Sequence, residues 1–454
     1  MRYSLLILTS LLLTLLVSCG KQIDLDDDPF VSTQHLGTQV SIDEAELELL
    51  SALDLLYPHT RSHKQRRIVS RYSSIDLLNT RSEEAKTPLV HVFNFNDSLG
   101  FAIISGDRRV EPIICITEKG HLDPNSVIDN PGMAMYLANM DTYYRIKTGL
   151  PVLDENGKEI KPEIPESRYQ EPDTASYDTD ITYEYGPWEV ASSRGTILPC
   201  QWDQGTYYGN CFNANCFTSD GQYAWAGCGP IAVGQIMYFW GKNYNNSGVY
   251  LDWNDMHTVY NRYSGTTSGQ QQVSQLIQII GLPANMNAQY GPVTDSTGTS
   301  TSINTIPQTF LNFGYTAGGT ISSYTFDSVY NDVYYGPVFG SGHQYRIHHW
   351  QYVLGILINQ WDTYDGGHGW VYDQAQIWRR TIYEYHNGFY DHSFTEDNNI
   401  VHINWGWGGD YDGYFGAYYF DMYSPKTRSE TTATYGAEGL FSYNLNVITG
   451  IRAN

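Results

Sequence analysis

The stretch Gly221-Gln222-Tyr223-Ala224-Trp225-Ala226-Gly227-Cys228-Gly229-Pro230-Ile231-Ala232-Val233-Gly234-Gln235-Ile236-Met237 decides the fold. Small residues crowd around Cys228, so a carbonyl group could approach its sulfur closely. Pro230 suits the first turn of a helix, where its missing N–H would be unpaired anyway. Ile231 to Trp240 is largely apolar, and the segment predicts a buried helix with Cys228 at its N-terminus. The dipole and free N–H groups there favour a thiolate over a thiol. Gln222 lies six residues earlier. Folded back, its side-chain amide would donate to an oxyanion together with the Cys228 N–H. Taken alone, the segment reads equally well as a structural cysteine before a core helix, with Gln222 on the surface.

A nucleophilic thiolate needs a base, which usually comes from far along the chain. Among 13 histidines, His368 stands out in Gly366-Gly367-His368-Gly369-Trp370-Val371-Tyr372-Asp373, a glycine-flanked start to a strand. Further on comes Val401-His402-Ile403-Asn404-Trp405-Gly406-Trp407-Gly408-Gly409, a strand running into a glycine-rich turn. Imidazole needs an orienting partner and shielding from water. Asn404 offers an amide oxygen, and Trp405 and Trp407 offer flat apolar cover. His343, His348, His349, His386, His392 and His402 are rival bases.

The 454 residues are enough for two domains. The chain is poor in charged and rich in aromatic residues, with 38 Tyr and 42 Gly, as suits strands and loops better than a helical bundle. A net charge of −23 argues against nucleic acid as a partner. Six cysteines are too few for a disulfide scaffold. Cys200, Cys211 and Cys216 leave room for one disulfide. A zinc site there is disfavoured, because no histidine stands beside them at ligand spacing.

Residues 1–18 read as a signal peptide: a basic Arg2, then a short apolar run from Leu5 to Val17. Leu16-Val17-Ser18-Cys19 resembles a bacterial lipobox, in which Cys19 would be lipidated. The expectation is an exported outer-membrane or cell-surface lipoprotein, released when processed. Residues 19–28 form an acidic tether. Residues 29–150 read as a small α+β unit: a helix over Ile42–Leu55, strands over Leu89–Phe95, Gly100–Ser105 and Ile113–Thr117, and a helix over Met133–Ile146. The proline- and charge-rich 151–195 reads as an exposed, cleavable connector. Residues 196–454 form the second domain.

These motifs together resemble the streptopain family of papain-like cysteine peptidases. Gln222, Gly227-Cys228, Ala232 and Gln235-Ile236-Met237 resemble its nucleophile helix. His368-Gly369-Trp370-Val371 resembles its histidine strand, and Asn404-Trp405-Gly406-Trp407-Gly408-Gly409 its tryptophan motif. Val92-Phe93-Asn94 and Gly100-Phe101-Ala102-Ile103-Ile104-Ser105-Gly106-Asp107 resemble its inhibitory prodomain. The resemblance implies an α+β fold with a helical part packed on an antiparallel sheet, behind a small α+β prodomain. It implies a zymogen with Cys228 as nucleophile, His368 as base, Gln222 at the oxyanion hole, and Trp405 and Trp407 bracketing the histidine. The partners implied are protein or peptide substrates, the chain's own prodomain as inhibitor and, before processing, a membrane reached through the lipid anchor. Neither a metal nor an organic cofactor is needed. The sequence departs from the family at Gly229-Pro230-Ile231, at an insertion over 341–365 and at a long polar-aromatic hairpin over 376–399. The alternative from another class is a catalytically silent, lipid-anchored binding protein or adhesin on the same scaffold.

Overall fold

The computed structural model describes residues 33–35, 37–58, 66–75, 88–153 apart from 125 and 127, 159–160, 181–205, 211–343 apart from 243–244, 247–248 and 295–297, 351–353, 356–358, 367–420 and 445–453. The signal peptide, Cys19, the acidic tether, and His348 and His349 lie outside the described residues.

Both helices expected in the first domain form. Helix α1 (Ile42–Leu56) opens on a capping box: the Glu44 N–H donates to Ser41 Oγ, and the Ser41 N–H donates to the Glu44 carboxylate. It buries Ala45, Leu49, Ala52 and Leu53. Helix α2 (Pro131–Thr148) is capped by Asn130 and ends at Gly149, whose φ of 72° an L side chain rarely adopts. It starts two residues earlier than the apolar spacing indicates, because Asn130-Pro131 begins the helix itself. Four antiparallel strands complete the unit: β1 (Ile68–Ile75), β2 (Pro88–Phe95), β3 (Phe101–Ser105) and β4 (Ile113–Thr117).

The segment expected as exposed connector departs from that expectation over its last part. Residues 181–195 form β5 (Ile181–Tyr185) and β6 (Glu189–Gly195). The peptidase-side strands are β7 (Ala317–Ser323), β8 (Val338–His343), β9 (Gly367–His386), β10 (Phe389–Asn404), β11 (Gly413–Gly416) and β12 (Asn446–Arg452). The β9–β10 hairpin closes on Asn387-Gly388, both at positive φ (52° and 78°), as a two-residue turn requires. At 20 residues, β9 is long enough to pair with β8 at its start and then with β6 and β5 farther along. That spare edge turns the end of the connector into strands, since unpaired edge N–H and C=O groups recruit partners.

All of these strands belong to one sheet, with main order β7-β12-β8-β9-β10-β11-β4-β3-β2-β1. The first domain joins through β4, whose Thr117, Ile116 and Cys115 face Gly413, Tyr414 and Phe415 of β11. Side chains alternate between faces along a strand. Val338, Trp370, Tyr372 and Val447 enter a core with α2, through Met133, Tyr136 and Met140. Their neighbours Phe339, Val371 and Ile448 enter a second core with helices α3 (Cys228–Trp240), α4 (Thr267–Gly281) and α5 (Ile306–Asn312). One face of the sheet is thus covered by α3, α4 and α5 and, towards the first domain, by α1; the other is covered by α2 and the short helix Phe326–Asp332.

Candidate active site

Helix α3 begins at Cys228, as expected. Gly227 precedes it at φ 88°, and a Cβ there would meet Thr299 Cγ2 at 2.9 Å, so both conformation and space demand glycine. Gly229 to Tyr238 are all buried, which makes α3 the axle of the helical part. The helix start abuts β9: a Cβ on Gly369 would lie 3.6 Å from Gly229 Cα. Surrounding protein raises the Cys228 thiol pKa above its ordinary value, while hydrogen bonds from the backbone of Gly369, Gly229 and Cys228 itself pull it down. The residue keeps partial exposure.

His368 is the residue next to Gly369, so the two candidates are brought together at the start of β9. Among the hydrogen bonds of the described residues none joins the two. His368 Nε2 instead bonds the carbonyl oxygen of Trp405 at 2.9 Å. Its ring lies among Trp370, Trp405 and Trp407, with centroids 6.0–6.3 Å away. Burial holds the imidazole down at about 4, with the Trp405 bond acting weakly the other way. The first domain adds to this cover. A Cβ on Gly132 of α2 would sit 2.4 Å from Trp405 Cε3 and 2.7 Å from His368 Cδ2. A neutral imidazole held by a carbonyl, beside a thiol with a raised pKa, is a latent site.

Trp405 and Trp407 therefore flank the histidine as expected, but Asn404 does not orient it directly. Its Nδ2 donates to the Cys200 carbonyl at 2.8 Å, and its Oδ1 accepts from the Gly406 N–H at 3.0 Å. Asn404 fixes the turn, and the Trp405 carbonyl of that turn holds the ring. On the other side of Trp405, its N–H donates to Asp412 Oδ1 at 2.8 Å. Burial pushes that carboxyl up to about 8. His402, a rival base, is buried with Nδ1 on Asp373 Oδ1 at 2.6 Å and Nε2 3.6 Å from Glu118. Both its nitrogens face carboxylates, which raise its pKa well above the ordinary value against the effect of burial. His386 and His392 lie at the hairpin end.

Gln222 is a correction. The chain does not fold back between Gln222 and Cys228. Residues 223–226 run extended: Tyr223 O accepts from Val293, Trp225 N–H donates to Gly291, and Ala226 N–H donates to Gln204. Extended chain advances ~3.3 Å per residue, which carries Gln222 away from the sulfur. Its exposed side chain donates to Asp220 Oδ2 at 2.7 Å. The same pairing brings up Gln204, whose carbonyl accepts from Ala226 at 2.8 Å, two residues before the nucleophile. No spacing rule in the sequence points to Gln204, because a tertiary hydrogen bond places it. Cys200, Cys211 and Cys216 are free thiols, so the disulfide allowed by the sequence does not form.

A cysteine at a helix start, a histidine on the adjoining strand, and an α+β prodomain packed over the histidine define a papain-like cysteine peptidase in a latent form. The Peptidase C10 family model matches residues 202–415, and the Spi protease inhibitor model matches residues 44–144. The chain accordingly carries a Peptidase C10, or streptopain-family, domain behind a Spi-type inhibitory region. It is 26% identical to the thiol protease/hemagglutinin PrtT of Porphyromonas gingivalis over 383 residues, covering 82% of this chain but 38% of that protein. It is 22% identical to streptopain of Streptococcus pyogenes over 393 residues, 80% of each chain. The solved prointerpain A fragment of Prevotella intermedia aligns with a TM-score of 0.46 at 18% identity, covering 86% of this chain and 99% of that one.

Proposed function

We propose that the chain is a cysteine endopeptidase made as a zymogen, exported and lipidated at Cys19, and freed by cleavage in the connector. The observation that carries the catalytic reading is the seating of Cys228 at the start of α3, with the backbone of Gly369 hydrogen-bonded to its sulfur and His368 next in the chain. Once the prodomain leaves, His368 exchanges the Trp405 carbonyl for the thiol and takes its proton. The thiolate attacks a peptide carbonyl, and the new C–S bond forms as the carbonyl oxygen becomes an oxyanion. His368 then protonates the leaving amine, the C–N bond breaks, and water hydrolyses the thioester. The Cys228 N–H serves the oxyanion together with the side chain of Gln204, whose backbone is held beside the nucleophile by the Ala226 N–H bond. If cleavage falls within 161–180, the lipid anchor departs with the prodomain.

The test uses processed protein on a casein-type substrate. Cys228→Ala abolishes hydrolysis; unchanged turnover by this variant would sink the assignment. Gln204→Ala lowers kcat by about 10²-fold or more, as loss of an oxyanion donor does, whereas Gln222→Ala stays near wild type. The reverse ranking returns the oxyanion role to Gln222. Covalent labelling of Cys228 by a peptidyl epoxysuccinate separates an active peptidase from a silent binding protein.

A further inference from the structure

The end of the β9–β10 hairpin, between the histidine strand and the tryptophan motif in the chain, gathers Glu384, His386, Asp391 and His392. We propose that Glu384, His386 and Asp391 form a binding site for a divalent first-row transition metal ion such as Zn²⁺, with His392 holding Asp391 in place.

The register explains why these side chains converge. Glu384 and His386 are two apart on β9 and so share a face. His392 lies directly opposite Glu384, whereas Tyr390 lies opposite Tyr385, so the ladder slips between these pairs and Asp391 is the extra residue. A bulge re-aims the inserted residue, and here it brings the Asp391 carboxylate to the imidazoles. Glu384 Oε1 lies 2.6 Å from His386 Nε2, and Asp391 Oδ2 lies 4.0 Å from that same nitrogen. One ligand atom from each of the three residues fits within 4.8 Å of the others. His392 Nδ1 contacts Asp391 Oδ2 at 2.8 Å, and its Nε2 is 3.8 Å from Glu384 Oε2. Ligand atoms about 2.0–2.1 Å from a tetrahedral zinc stand roughly 3.3 Å apart, so small side-chain rotations suffice. The donor set is one imidazole and two carboxylates. Imidazole favours transition ions over Ca²⁺ and Mg²⁺, which prefer all-oxygen sites. A carboxylate held by a histidine outside the ligand set is a common supporting arrangement. Glu384 is mostly buried at 14% side-chain exposure, while Asp391 and His392 are about half exposed, leaving the remaining coordination positions to water.

The metal would tie β9 to β10 across their bulge. It would do so where β5 pairs along residues 382–386, the strand that follows the connector. The role is structural and separate from the thiol chemistry.

The experiment is calorimetric titration of full-length Cys228→Ala protein with ZnCl₂, paired with thermal melting and limited proteolysis. The Ala background removes the reactive thiol as a competing ligand. One micromolar-range site is expected, absent with MgCl₂. Glu384→Gln and His386→Ala each weaken it at least 100-fold, and His392→Ala about 10-fold. Zinc should also slow proteolysis of the hairpin, and that protection should vanish in His386→Ala. Asp391→Asn is a further variant, at an exposed position where folding is not at risk. Equal zinc binding by wild type and all four variants, or no binding in the micromolar range, overturns the proposal; the hairpin end is then only an ion-pair network.

Discussion

At the scale of single residues, latency rests on His368. Its imidazole is neutral, buried and bonded to a carbonyl. Opening the prodomain uncovers the side of the ring under α2 and moves its pKa up towards the ordinary 6.5, while Trp370, Trp405 and Trp407 stay around it. Between pH 6.5 and 4 the opened state therefore binds more protons than the latent one. By linkage, the latent state loses stability as pH falls through that window, by as much as α2 contributes to the burial of the ring. Asp412 titrates in the opposite sense; Trp405, His402 and Asp373 around it stay with the peptidase on opening, whereas Glu118 leaves with β4. Connector-nicked Cys228→Ala protein should release its prodomain faster at pH 5 than at pH 7.5, read by size-exclusion chromatography. Adding His368→Gln, which cannot take the proton, should flatten that difference; an undiminished pH response would remove His368 from the account. Cys228 and His368 were legible in the sequence because their surroundings are local: a proline and an apolar run after one, glycines and a strand around the other. The glutamine proposed for the oxyanion was not, because a hydrogen bond between distant segments brings Gln204 near the nucleophile. Nor was the part Asn404 plays, since only the folded turn shows that its amide serves Cys200 and Gly406.

At the scale of elements, the prodomain is held at a second place, far from the cleft. Glu48 on α1 receives Arg380 of β9 and the Trp188 indole N–H, while Arg380 also meets Glu396 at 2.6 Å. The guanidinium is 5% exposed and is stacked between Tyr185 and Trp188. The Trp188 backbone N–H donates to Ser51 Oγ at 3.0 Å, so α1 also grips the segment joining β5 and β6. Breaking one partner of a buried pair costs about 3 kcal/mol or more. Glu48→Gln should therefore raise the dissociation constant of the nicked prodomain roughly 100-fold without changing turnover by mature enzyme. A dissociation constant unchanged within threefold would show that the latch carries no affinity. The sequence marked 376–399 as a long hairpin, but not its use. Whether a polar strand becomes an edge for others depends on which segments reach it, and β5, β6 and α1 arrive from far earlier in the chain.

At the scale of the whole molecule, two domains that read as separate along the chain share one sheet and two hydrophobic cores. The β4–β11 pairing continues the ladder across the boundary, and Met133, Tyr136 and Met140 of α2 pack with Trp370, Trp405 and Phe415. Cutting the connector leaves all of this intact, so cleavage by itself should not give activity. Departure of the prodomain bares β11 as a sheet edge, together with the apolar face that α2 covered. Both are templates for rebinding. Isolated prodomain added back to mature enzyme should therefore inhibit it stoichiometrically. Gly132→Leu sharpens the test, because even a Cβ at this position falls 2.4 Å from the Trp405 ring. The variant keeps the β4 edge but cannot seat α2 on His368. It should still bind the mature enzyme, through β11 and Arg380, yet inhibit at least tenfold less well in a peptide-hydrolysis assay. If Gly132→Leu inhibits as strongly as wild type, the sheet and the Arg380 latch alone block the cleft, and the contact of α2 with the histidine is packing without inhibitory consequence.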